Sequence, residues 1–244
     1  MKTLLFILAL FCGISITFSQ FSIDVQAKGS ANSTWLFNKN ISDMGQEQDY
    51  APGWGSTYGV AGNVYAGIIG IGIEFNYATH NGAYEGVEAG ITFDTYNSSV
   101  NLKTLQIPLL LKFKSASGSY IEFGPQLTNI SSATYTRSGT IPVLGSYETD
   151  PKDVTNQYSG SFLSGVLGFG AKIPLGESIP IGILVGIRLQ YSFGDLMGVD
   201  GYEVELGSEE NPPSSLDYPW GYNEHQPTQA VSGGIVIGAT YTIE

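Results

Sequence analysis

The sequence predicts an all-β chain, a transmembrane antiparallel up-and-down β-barrel of eight strands, and three observations carry that expectation. Bulky apolar residues alternate with small or polar ones along eight segments. Charged residues make up only 13% of the chain, while Gly (32) and Tyr (15) are abundant. Short and long connections between the segments alternate strictly. Successive strand side chains point to opposite faces, so period two is a strand signal. The charge content is about half that of a usual soluble domain, and past the N-terminal region no stretch is apolar for the eighteen or so residues that a spanning helix needs.

The N-terminus comes first. Lys2 supplies a positive charge, and Leu4 to Phe18 is largely apolar. Thr17 and Ser19 put small residues at the −3 and −1 positions of a cleavage site. This reads as a secretory signal peptide over 1–19, cleaved after Ser19, which leaves 20–244 as the outer-membrane barrel domain. Cys12, the single cysteine, follows Phe11 rather than the small residue a lipidation signal needs, so it leaves with the leader. Disulfides and Cys-ligated metals are then excluded.

The strands follow in order. Segment 21–31 sets Phe21, Ile23 and Val25 against Asp24, Gln26 and Lys28, and segment 57–67 sets Tyr58, Val60 and Val64 against Thr57 and Asn63. Segment 69–79 sets Ile69, Ile71, Ile73, Phe75 and Tyr77 against Gly70, Gly72, Glu74 and Asn76. Segment 103–114 opposes Leu105, Ile107, Leu109, Leu111 and Phe113 to Thr104, Gln106 and Lys112, and segment 119–130 opposes Ile121, Phe123 and Leu127 to Glu122, Gln126 and Thr128. Segment 161–173 places Leu163, Leu167, Phe169 and Ile173 against Ser164, Gly168, Gly170 and Lys172. The clearest, 181–193, runs Ile181 to Phe193 on odd positions against Gly182, Leu184, Gly186, Arg188 and Gln190. Segment 231–243 closes the set with Val231, Ile235, Ile237, Tyr241 and Ile243 outward. Most of these run 11–13 residues, where about 9–11 suffice to cross tilted. Segment 84–96 also alternates, either as a hairpin extension above the membrane or as a further pair that makes the count ten. Pro108 and Pro125 fall inside strands, where proline marks a bulge or an unpaired position.

The links 66–68, 115–118 and 174–180 are short; 32–56, 80–102, 131–160 and 194–230 are long. Outer-membrane barrels have short periplasmic turns and long outer loops, so both termini are expected on the periplasmic side. A soluble lipocalin-like barrel would alternate in the same way. The inner face here is mostly Gly, Ser, Thr and single charges, too small and sparse for a solvated surface, whereas the other face is bulky and nearly uncharged as lipid contact requires.

Three runs carry a family resemblance: Gly70-Ile71-Gly72-Ile73-Glu74-Phe75-Asn76-Tyr77, Leu105-Gln106-Ile107-Pro108-Leu109-Leu110-Leu111-Lys112, and Tyr120-Ile121-Glu122-Phe123-Gly124-Pro125. With the later Arg188-Leu189-Gln190-Tyr191-Ser192-Phe193-Gly194, the chain resembles the PorT-like outer-membrane β-barrel family of Bacteroidetes-type bacteria. The resemblance implies an outer-membrane barrel without a known catalytic site, in a family some of whose members support protein secretion. One departure concerns the end of the chain: such barrels usually finish on an aromatic that the barrel-assembly machinery reads, and this chain ends Thr240-Tyr241-Thr242-Ile243-Glu244.

The sharpest constellation is a set of seven inward charges: Asp24, Glu74 and Glu122 against Lys28, Lys112, Lys172 and Arg188. A narrow barrel hydrates isolated charges poorly, so they are expected to pair, Arg188 with Glu74 or Glu122. Glu74, Glu122, Lys112 and Lys172 are expected in the periplasmic half and Arg188 near the middle. The network reads as core filling, with a gated small pore as the functional alternative. Loop 194–230 carries eight acidic residues, no Lys or Arg, and Tyr202, Tyr218, Trp220 and Tyr222, which suits a protein partner, a glycan or calcium, though its spacing matches no EF-hand. His80 and His225, the only histidines, sit in no catalytic constellation. No catalytic, cofactor or metal set is expected. A net charge of −12 disfavours nucleic acid. The expected surroundings are outer-membrane lipid and the assembly machinery, and the expected role is non-enzymatic: display of long loops or membership of an outer-membrane assembly. A small solute channel and, further off, a lipid-modifying enzyme are the alternatives.

Overall fold

The computed structural model describes residues 21–88, 94–142, 144–176, 179–196 and 226–243. In chain order these form β1 (Phe21–Phe37), the one-turn helix α1 (Lys39–Asp43), β2 (Asp49–Ala51), β3 (Gly53–Ala66), β4 (Ile69–Glu88), β5 (Asp94–Lys114), β6 (Ser119–Ile141), β7 (Gly145–Glu148), β8 (Lys152–Asp153), β9 (Ser161–Pro174), β10 (Ile181–Ser192) and β11 (Gln229–Ile243). The eight long strands pair in the ring β1-β3-β4-β5-β6-β9-β10-β11, every contact antiparallel, and β11 returns to β1 through Ile23↔Ile243 to Phe37↔Gln229. Closure leaves the barrel no unpaired edge. The expected signal peptide, 1–19, lies outside the described residues.

The alternation decides which side chains face out. Ile71, Ile187 and Ile235 are 60%, 47% and 60% exposed on the outer wall, whereas Glu74 and Arg188 are 0% and 7% exposed within. A barrel that hides its charges and exposes its isoleucines is built for lipid, which excludes the soluble lipocalin-like alternative. Aromatic side chains edge the belt, with Tyr58 against Tyr77 and Tyr191 against Phe193 towards the long-loop end and Phe113 against Phe123 towards the other.

At the short-turn end, β3 and β4 are joined by Gly67 and Ile68, with Gly67 in the left-handed region (φ 65). Gly118, in the β5–β6 turn, is required twice over: its φ is 89, and a Cβ there would lie 2.4 Å from the carbonyl oxygen of Lys172. Pro108 and Pro125 sit where the ladders skip. The β4–β5 register runs from Ile73↔Leu109 directly to Asn76↔Gln106 around Pro108, and the β5–β6 register from Pro108↔Gln126 directly to Leu111↔Phe123 around Pro125, as residues without an N–H demand.

Segment 84–96 settles as a hairpin extension. β4 continues through 84–88 and β5 begins at 94, so the ring keeps eight strands. The long links are accordingly shorter than the sequence suggests, and β4, β5 and β6 reach 20, 21 and 23 residues. Above the belt the outward positions meet water and need not be apolar, while the inward ones, Tyr84, Tyr96, Val100 and Leu102 among them, stay buried and the backbones stay paired. An irregularity between Lys103 and Thr104 inserts Ser131 as an extra residue in β6. Beyond it the inward parity changes to odd numbers, which buries Ala133 and Arg137.

The lumen is closed towards the long-loop end by a small apolar core. Leu36, Val100, Leu102, Val154, Phe162 and Leu196 are buried together there.

Candidate functional site in the charged lumen

Six of the eight barrel strands contribute the seven inward charges: β1 (Asp24, Lys28), β4 (Glu74), β5 (Lys112), β6 (Glu122), β9 (Lys172) and β10 (Arg188). Register explains who meets whom. Lys112 and Glu122 stand directly opposite on β5 and β6. Glu122 is opposite Gly168 on β9, and Gly168 is opposite Arg188 on β10. The glycine lets the flanking acid and guanidinium close over it. A Cβ at 168 would lie 2.8 Å from Cγ and Oε1 of Glu122. Gly168→Val should therefore lower stability by about 1–3 kcal/mol through overpacking, read as an earlier unfolding midpoint in a urea titration of the folded barrel.

Glu74 is the hub. Arg188 donates to it through both terminal nitrogens, Nη1 to Oε2 at 2.7 Å and Nη2 to Oε1 at 3.0 Å. Lys28 donates to Oε1, Asn76 Nδ2 donates to Oε2 at 3.0 Å, and Lys112 Nζ lies 3.7 Å from Oε1. Glu122 accepts from Arg188 on one oxygen and pairs with Lys112 on the other at 2.7 Å. All five charged side chains, and Asn76 with them, are buried. Two arms on a guanidinium and two oxygens on each carboxylate make a mutually bonded plug, three cations on two anions, midway along the lumen.

Asp24 and Lys172 form a separate pair nearer the short-turn end. Lys172 Nζ lies 3.1 Å from Asp24 Oδ1, and Thr242 Oγ1 donates to the same oxygen at 2.7 Å. The sequence grouped Lys172 with Glu74, Glu122 and Lys112; the register instead sets it across from Leu184, one level lower.

Two features escaped the sequence. The first is a glutamine layer above the plug: Gln106 and Gln126 both donate to Gln190 Oε1, at 3.4 and 3.3 Å, and Gln106 Nε2 lies 2.7 Å from His80 Nε2. His80, expected at an outer strand end, is buried inside because β4 continues beyond it. His225 and most of loop 194–230, residues 197–225, lie outside the described residues. The second is the apolar cap. Its signal was present: Val100 and Leu102 are apolar on even, inward positions of a strand whose membrane stretch puts apolar residues on odd ones.

No family model and no curated protein matches the chain. Solved structures do. Neisserial surface protein A aligns at 10% identity over 91% of this chain and 96% of that one, with a TM-score of 0.35. The outer membrane protein OprG from Pseudomonas aeruginosa aligns at 14% over 93% and 97%, TM-score 0.37. Ail, the attachment invasion locus protein of Yersinia pestis, aligns at 7% over 90% and 98%, TM-score 0.34. By its own closed ring and apolar outer wall, the chain is an eight-stranded transmembrane β-barrel whose lumen is filled by paired charges.

Proposed function

We propose that this is a non-conducting, non-enzymatic protein of the outer membrane that acts through its long-loop face, by displaying those loops or by joining a larger outer-membrane assembly. The observation that carries this is a lumen closed twice in series. The Glu74-centred plug blocks its middle, and the cap around Leu36, Leu102 and Phe162 covers its outer end. Eight strands leave an interior that side chains can fill, and here they do. The investment lies outside: β4, β5 and β6 extend well past the 9–11 or so residues that crossing requires. His80 is buried in the lumen against Gln106, which argues against the lipid-modifying alternative.

On this reading the chain is exported by its 1–19 leader, inserted by the barrel-assembly machinery, surrounded by outer-membrane lipid, and related to PorT-like barrels. Its protein partner engages loop 194–230. Planar-bilayer recording tests the closed lumen: purified folded protein should give no conductance steps, and regular unitary steps would restore the solute channel. Crosslinking in intact cells tests the partner. A protein adduct that disappears when 197–225 is deleted is expected, and an adduct indifferent to that deletion would move the contact elsewhere.

A further inference from the structure

Below the plug, at the short-turn end, the lumen opens into a small vestibule with a cavity volume of about 40 Å³. Four of the ten basic residues of a chain with net charge −12 line it: Lys28, Lys112, Lys114 and Lys172. The carboxylates on the same wall are Asp24 and Glu122. Glu74 and Arg188 lie just above. Leaving out Lys114, whose ammonium donates to Ser22 and sits over the Tyr65 ring, four cations still face three carboxylates among the described residues.

Hydrogen-bonding capacity points the same way as the charge count. Both oxygens of Glu122 are taken, by Arg188 and Lys112, and Oδ1 of Asp24 accepts from Lys172 and Thr242. The ammonium groups are less fully used: Lys28 has three donors and one acceptor, Glu74 Oε1. The walls therefore offer spare donors and few spare acceptors. Tyr65 and Tyr120 add a phenol from each side. A cleft of low-dielectric walls also focuses its field towards the opening.

We propose that this vestibule binds a small soluble oxyanion, a phosphate or a carboxylate, entering from the side of the short turns. Several acceptor oxygens on one compact anion match ammonium groups converging from β1, β5 and β9. The site is independent of the outer loops and of whether the lumen conducts.

The test is calorimetric titration of the full folded barrel, in a zwitterionic detergent at constant ionic strength, with inorganic phosphate and separately with acetate. Saturable one-to-one binding of either, with Kd of about 1 mM or tighter, is expected, and the tighter of the two names the class. Lys172→Gln, at the vestibule rim, should weaken binding about tenfold, as loss of a charge-assisted hydrogen bond does. Lys103→Gln, on an exposed outer position of β5, should leave it unchanged. Heat-modifiable gel mobility establishes that each variant is folded. Absence of saturable binding by either anion overturns the proposal. So does equal affinity in folded Lys172→Gln, or an equal loss in Lys103→Gln.

Discussion

Replacing Glu74 with Leu should cost about 3–5 kcal/mol, the range for orphaning a buried charge partner, and should cost more than replacing Arg188 with Met. Charge counting decides the order. Within the plug, Lys28, Lys112 and Arg188 oppose Glu74 and Glu122. Without Arg188, two lysines still balance two carboxylates, and the loss is confined to its hydrogen bonds and packing. Without Glu74, three buried cations share one carboxylate, and Asn76 loses its acceptor as well. In the double variant, Lys28 and Lys112 face Glu122 alone, nearer to balance, so the two losses should fall short of additive by about 1–3 kcal/mol, as for other directly bonded pairs. Denaturant unfolding of the barrel from lipid vesicles measures all three. If the Arg188 variant were the less stable, Glu74 would not be the hub.

The second large effect comes from moving the same chemistry by one residue. Arg188 is tolerated because it points inward; Ile187 points into the lipid belt near the middle of β10. Ile187→Arg should therefore cost about 2–4 kcal/mol, the penalty for a basic side chain at the bilayer midplane. The penalty should fall as the substitution moves along the outer face towards Ile181 or Tyr191. Measured in vesicles, a depth-dependent profile supports the belt. A flat profile near zero would mean that this face is not in hydrocarbon. Together the two experiments address opposite sides of one strand, and each depends on the period-two alternation read directly from 181–193.

The strand-by-strand reading succeeded where one face meets lipid and the other meets a crowded interior. There, each residue's polarity reports its direction, and a slip of one position would bury isoleucines and expose charges to hydrocarbon. It faded at Thr79 and Lys103, where β4 and β5 leave the belt while their backbones stay paired. The alternation of 84–96 and the even-numbered Val100 and Leu102 pointed to that continuation but left an extended hairpin and a further pair of strands open, because hydrogen bonding between main chains is indifferent to side chains. The parity change at Ser131 was hidden for a related reason: a bulge is a property of the pairing, not of either strand alone.

By itself, the sequence determined the class of fold, the inward direction of Asp24, Lys28, Glu74, Lys112, Glu122, Lys172 and Arg188, and the need for those charges to find partners, since direction follows from alternation and pairing from desolvation. Only the tertiary structure decided which charges meet. That choice rests on the register of β5 on β6, on Gly168 standing between Glu122 and Arg188, and on the closure of β1 against β11. It brings residues as distant as 74 and 188 to within hydrogen-bond reach and leaves Lys172 one level lower, beside Asp24. Such neighbours are set by strand stagger around a closed ring, a long-range quantity that local residue pattern does not carry.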